Sequence, residues 1–211
     1  MLVITISRQL GSGGREVGNK VAEKLGIAYV DQEIVSRAAA LADVSEEALS
    51  DADERRPTLL GHIADLLARY PAAVELGVPT VDIEPSLGQD TFKQLVEDVM
   101  REVAAKGSAV IVGRGGQMIF KDRPDTFHVH LYAPFEVRVR RTLQRERLSQ
   151  VEAERRVRES DRNRSGYIRT YYKVDWQDPE LYALMINTGK LDIDTVADLI
   201  ATAAKSTLGD A

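Results

Sequence analysis

Apolar positions along the chain fall into two rhythms that alternate with each other. Leu2, Val3, Ile4 and Ile6 form a short run suited to a strand buried on both faces. Similar short runs recur at Ile27 to Asp31 (IAYVD), Ala109 to Val112, Thr126 to Tyr132 (TFHVHLY) and Leu181 to Asn187 (LYALMIN). Between them the spacing is helical. Val17, Val21, Ala22 and Leu25 precede Gly26, a natural C-cap. Phe92, Leu95, Val96, Val99, Met100 and Val103 share one face of a helix from Phe92 to Lys106, which Gly107 closes. Another helix starts near Glu136, and TGKLDIDTVADLI reads as a turn and a last helix. Val44 to about Arg69 is helical, with Ser45, Glu46 and Glu47 at its start and a break at Pro57. Tyr70 to Gly88, with Pro71, Pro79 and Pro85, reads as loop. Five strands alternating with helices predict a three-layer α/β fold with a parallel sheet.

Composition narrows the class without changing the picture. The chain has 211 residues, 44% hydrophobic and 29% charged, which suits one domain of residues 1–211 with room for an inserted cap. It has no Cys, so disulfides and thiolate metal sites are excluded. A net charge of -5 argues against a general nucleic-acid binder. Met1 leads directly into a strand, and no apolar run is long enough for a signal peptide or a membrane span, so the expectation is a cytoplasmic protein without a membrane partner.

Candidate chemistry begins between the first strand and the first helix. Gly11, Ser12, Gly13 and Gly14 let the backbone turn its N–H groups inward at a helix N-terminus, where the helix dipole also favours phosphate. The stretch reads as an anion cradle, with a plain glycine turn between strand and helix as the alternative, and it lacks the full GxxxxGK[ST] signature. With Gly13 as the final glycine, Arg8 stands at the first glycine, Gly14 at the lysine and Arg15 at the Ser/Thr. Asp31 ends a strand and faces the crevice where α/β ligands bind, although it could also cap the helix that follows. Arg155 to Arg169 (RRVRESDRNRSGYIR) carries six arginines in an acidic protein. Guanidinium groups pair bidentately with phosphate, so the segment suits a mobile clamp; a solvated helix balanced by Glu152, Glu154 and Glu159 is the alternative. His128 and His130 share a strand face, and packing or hydrogen bonding is expected there rather than metal binding. His62 is read as a surface or packing residue.

These features resemble the cytidylate kinases, whose loop reads GPSGSGKGT and whose following helix ends in AEKLG. Gly11, Ser12, Gly13 and Ala22 to Gly26 match. Gly14 replaces the lysine and Glu16 the threonine near magnesium. The family's LDSGxxYR is kept as Asp31 and Arg37, its ExRxxR as Glu136, Arg138 and Arg141, and the DRNR of its lid as Asp161, Arg162, Asn163 and Arg164. Its DGRD keeps only Arg114, with Val112 and Gly115 where the carboxylates should be. The resemblance implies a P-loop NTPase fold with a five-stranded parallel sheet, a helical acceptor cap at about 40–90 and an arginine-rich lid at about 150–175.

The activity implied is transfer of the γ-phosphoryl group of ATP, with Mg2+, to CMP, dCMP or a similar small acceptor. Gly11 to Gly14, Arg15 and Glu16 would meet ATP, with Arg15 standing in for the lysine. Arg158, Arg162 and Arg164 would stabilise the moving phosphoryl group, and Asp31, Arg37, Arg114, Arg138 and Asp161 would hold the acceptor. No resident metal site is expected, and the protein would act as a monomer or homodimer on small nucleotides. Because the lysine and threonine are replaced, a non-catalytic nucleotide-binding or sensing module is the alternative. Tyr167, Tyr171, Tyr172 and Trp176 could stack on a base, meet a partner or seal the lid hinge.

Overall fold

The computed structural model describes residues 1–31 and 89–209. Arg37, His62 and the expected cap up to residue 88 lie outside the described residues.

Five parallel strands form one sheet: β1 (Val3–Arg8), β2 (Ala28–Asp31), β3 (Ala109–Val112), β4 (Thr126–Tyr132) and β5 (Leu184–Asn187). The order is β2-β3-β1-β4-β5, with Val3 beside Ala109 on one side and Thr126 on the other. β1 is therefore central, and the loop after Arg8 opens at the C-terminal edge of the sheet, between its two neighbours.

Helices cover both faces, giving three layers. α1 (Gly14–Leu25) and α6 (Ile193–Gly209) pack Val17, Val21, Val196 and Ile200 on Ile4, Ile6, Val110, Val129 and Leu131. α2 (Gln89–Lys106) packs Val96, Val99, Met100 and Val103 on Val3, Val30 and Ile111 of the opposite face. The alternation of β1 and β3 between these clusters explains why both strands read as continuous apolar runs. The fold is the expected three-layer α/β P-loop arrangement.

A helical hairpin follows β4 where the lid is expected. α4 (Phe135–Glu146) and α5 (Gln150–Tyr172) join through Val139, Ala153 and Val157 in a small apolar cluster of their own that also takes in Leu10. Ser149 and Glu152 start α5 as a capping box, the Ser149 N–H donating to Glu152 Oε2 at 2.9 Å. The arginine-rich stretch is thus one face-bearing part of a helix of 23 residues.

Two details differ from the sequence expectation. A one-turn helix α3 (Gly116–Ile119) follows β3, and the last strand begins at Leu184 instead of Leu181. Pro179 opens a 3-10 turn through Leu181, with Asp178 Oδ1 accepting from the Glu180 N–H at 3.0 Å, so sheet pairing begins only when the Ala183 N–H reaches His128 O.

Candidate active site

The cradle is held from behind by side chains far along the chain. Gly11 and Gly13 adopt φ of +80° and +77°, and Gly13 is the N-cap of α1 with no side chain closing the helix end. No side chain caps the first N–H groups of α1, the arrangement that an anion meets at a helix N-terminus, while the Ser12 N–H is taken by Gln9 O at 3.3 Å. Thr188 Oγ1 donates to Ser12 O at 2.8 Å, and Arg141 donates to Gly11 O at 3.3 Å and to Thr188 O at 2.8 Å. Ser12 turns its hydroxyl back to Gln9 O at 2.8 Å, so it shapes the turn. A side chain at Gly11 would stand 2.5 Å from the Arg138 carbonyl oxygen, which fixes glycine there.

Beside the glycine loop, reaching it at Leu10, lies a cavity of about 510 Å³, walled by the ends of β1 and β3 and by α5. Arg8, Arg114, Arg156 and Arg164 line it against one acid, Glu159. Burial, and then Arg164, bring the Arg8 guanidinium down to about 9, although Asp31 pulls the other way. Burial brings Arg164 to about 10, with Arg138 adding to the effect and Asp161 opposing it. Both remain cationic at neutral pH, crowded and dehydrated, and a phosphate placed between them would relieve the repulsion. The chain enters the cavity through Gly113, Arg114 and Gly115, whose φ angles are +93°, +53° and +71°. Glycine takes a positive φ without steric cost, so of these three residues Arg114 is the strained one at the cavity wall.

The expected residues occupy different positions around this cavity. Gly11 to Gly14 form the cradle. Arg15, expected at the phosphates, is 67% exposed and pairs through Nε with Asp31 Oδ2 at 2.9 Å. Glu16 is exposed in the first turn of α1. Arg138 is buried and donates from Nη1 to both carboxylate oxygens of Asp161, at 3.0 and 2.9 Å, and from Nε to Ala133 O. This pair therefore locks α4 to α5. Arg164 donates to Arg8 O at 2.6 Å, while Arg158 lies over the Phe135 ring at 4.3 Å and Arg162 is exposed on α5. Arg114 lines the cavity, and its guanidinium is lowered by burial. Among the described residues no group of three or more His, Asp or Glu side chains could hold a metal ion.

Four contributors escaped the sequence reading. Arg8 stood out in the sequence only as a departure from the first glycine of the phosphate-loop signature, with no role attached to it. Gln117 is 3% exposed, lines the cavity, and its Nε2 has no hydrogen-bond partner. Arg141 and Thr188 brace the cradle, and the ExRxxR spacing was the available signal for the first. The aromatic segment is tied to β1 and α2: Trp176 Nε1 donates to Ser7 Oγ at 2.7 Å, and Tyr172 OH to Glu97 Oε1 at 2.8 Å. His128 and His130 hydrogen-bond Thr5 and Ser7 through Nδ1, at 2.7 and 3.2 Å.

A family described as cytidylate kinase-like matches residues 3–190. The chain belongs to this cytidylate kinase-like family. Two curated relatives are the cytidylate kinases of Methanopyrus kandleri, 26% identical over 96% of this chain and 92% of that protein, and of Pyrococcus horikoshii, 29% identical over 96% and 88%. A solved uncharacterized protein from Eubacterium ventriosum superposes with a TM-score of 0.69 at 23% identity, over 98% of this chain and 99% of that one, and shares the fold. The cytidylate kinase-like match takes in the cradle, the lid hairpin and β5. The chain is accordingly a kinase-like enzyme, and no described helix is long and apolar enough to cross a membrane.

Proposed function

We propose that the protein transfers the γ-phosphoryl group of ATP to a nucleoside monophosphate of the CMP or dCMP kind. The observation that carries this reading is the arginine-lined cavity opening directly beside the glycine cradle. A cradle at the N-terminus of α1 suits the polyphosphate of one nucleotide, and the adjoining cavity suits a second, smaller phosphorylated ligand. The two curated relatives carry the name cytidylate kinase, which supports the same reading.

Phosphoryl transfer asks for positioning and neutralisation of charge more than for covalent chemistry. In this account a phosphate oxygen of the acceptor attacks the γ-phosphorus, the bond to the β,γ-bridging oxygen breaks, and ADP and a nucleoside diphosphate leave. Mg2+ enters with ATP as part of the substrate. Backbone N–H groups of Gly11 to Gly14 hold the donor phosphates. Arg164, with Arg158 and Arg162 on the same helix, follows the charge on the moving group. Arg114, Asp31 and Arg37 contact the acceptor, and the Arg138–Asp161 pair keeps the lid hairpin at the height at which these contacts form. Glu16 receives no role.

A coupled assay with ATP, Mg2+ and CMP, dCMP, UMP, AMP or GMP in turn tests this directly. Acceptor-dependent ADP release is expected. One observation favours a non-catalytic nucleotide-binding module instead: position 14 carries no side chain, so the loop lacks the usual lysine. ATP binding by calorimetry without turnover on any acceptor would establish that second reading.

A further inference from the structure

Positions 8 and 14 are complementary. Gly14 opens α1 at the place where a standard phosphate-binding loop carries its lysine. A Cβ built on Gly14 would stand 2.6 Å from Cγ of Arg8 and 2.8 Å from its Cβ. The stem of Arg8 therefore occupies the space that the first carbons of a lysine at 14 would need. At its far end the Arg8 guanidinium lies on Gly113, where an added Cβ would collide with it. It lines the cavity, with Arg164 and Asp31 among its electrostatic neighbours. Its backbone is fixed as well, because Arg164 donates to the Arg8 carbonyl at 2.6 Å. Arg15, one residue beyond Gly14, leans outward to Asp31 and is mostly exposed.

We infer that Arg8 supplies the phosphate-facing charge that a lysine at position 14 supplies in the standard loop, and that the glycines at 14 and 113 are what admit it. The inference rests on the nucleotide-binding reading above. A charge launched from the end of β1 instead of from the first turn of α1 passes Gly14 with its stem and reaches the cavity beside the cradle with its guanidinium. The guanidinium differs from an ammonium in offering a planar fork, so it can bridge two phosphate oxygens at once. The exchange of roles also accounts for two departures together: a residue far larger than glycine at position 8 and one without a side chain at position 14.

Calorimetric titration with ATP, which needs no turnover, tests this on the unmodified protein and on Arg8→Met, Arg15→Ala, Gly14→Lys and the double variant Arg8→Gly/Gly14→Lys. Arg8→Met is expected to lose about tenfold or more in affinity, to show a shallower dependence on ionic strength, and to lose more than Arg15→Ala. Gly14→Lys alone is expected to melt earlier and bind weakly, since both side chains compete for one space. The double variant should recover most of the lost affinity. An Arg8→Met protein that binds as the parent does, or a double variant no better than Gly14→Lys, would overturn the inference while leaving the kinase reading in place. Failure of the unmodified protein to bind ATP would remove both. A crystal of the unmodified protein with a non-hydrolysable ATP analogue makes the same test without any substitution: Arg8 in hydrogen-bond contact with a β- or γ-phosphate oxygen is expected, and Arg15 or Glu16 there instead contradicts it.

Discussion

Arg164 donates from Nη1 to the carbonyl oxygen of Arg8 at 2.6 Å, tying the arginine-rich helix α5 to the last residue of the central strand across 156 positions of sequence. This charged hydrogen bond fixes α5 on the end of β1, as Arg141 of α4 reaches Gly11 O, and the Arg164 guanidinium also lines the cavity. Arg164→Ala is expected to reduce phosphoryl transfer about 10²- to 10³-fold, the range for removing one preorganised charge donor. Arg164→Lys should restore little, because an ammonium cannot hold the Arg8 carbonyl and a phosphate in one plane. Steady-state rates for both variants settle this, and a rate within threefold of the parent for Arg164→Ala would count against it.

Thr188 shows how the cradle depends on residues that never meet a ligand. Its hydroxyl donates to Ser12 O and receives from Arg141 Nη1 at 3.1 Å, and the side chain is wholly buried. Thr188→Val keeps the shape but leaves both groups without their partner, at about 2 kcal/mol or a fall of about 4–8 °C in Tm. ATP affinity should fall in parallel, because Gly11 and Ser12 lose their brace. Unchanged affinity in a destabilised Thr188→Val would mean that the loop holds its form unaided.

His130 gives a pH signature. Burial, with Arg164 adding to it, lowers the imidazole to about 4 from an ordinary value of 6.5. It packs among Ser7, Tyr132, Trp176 and Tyr182. As pH falls from 6.5 toward 4 the unfolded chain takes up a proton that the folded protein refuses, so stability declines across that window, by up to about 3 kcal/mol from this group. Urea titrations at pH 7 and pH 5 should show a smaller difference for His130→Gln, which keeps a hydrogen-bonding group but does not titrate. An equal difference in both proteins would assign the loss to carboxylates elsewhere.

Acceptor choice should be loose. Among the described residues, Val112 and Gly115 offer no carboxylates at the positions where the family has them, which removes two groups whose unpaired state would reject the wrong base. CMP is expected to be preferred over UMP, AMP and GMP by less than about a hundredfold. Gln117 is the polar side chain best placed to supply what selectivity there is, its Nε2 being buried and unpartnered. Gln117→Leu should lower kcat/KM for the favoured acceptor about tenfold with KM for ATP unchanged. An equal loss on both substrates would point to altered packing.

Much of this was legible in the sequence because it depended on local pattern. β3 and β4 begin and end where the apolar runs do, and the glycine cluster forms the turn from β1 to α1 as its place between an apolar run and a helical pattern implied. The start of β5 was misplaced because Asp178 and Pro179 open a 3-10 turn that takes in Leu181, the first residue of the apolar run. At the site, residue type foretold chemistry better than partnership. Arg138 and Asp161 are 23 positions apart, and only the packing of α4 on α5 brings them together. Arg15 is adjacent to the cradle in sequence, yet its helix position turns it toward Asp31. Arg8 carried no signal in a one-dimensional reading, since its importance comes from the absence of a side chain six residues later and another at Gly113.

The coupled assay with ATP, Mg2+ and a panel of nucleoside monophosphates tests the central claim most directly. Acceptor-dependent release of ADP is expected, with CMP or dCMP among the better acceptors, and with activity abolished or nearly so in Arg164→Ala. ATP binding with no acceptor-dependent turnover on any monophosphate would contradict the claim.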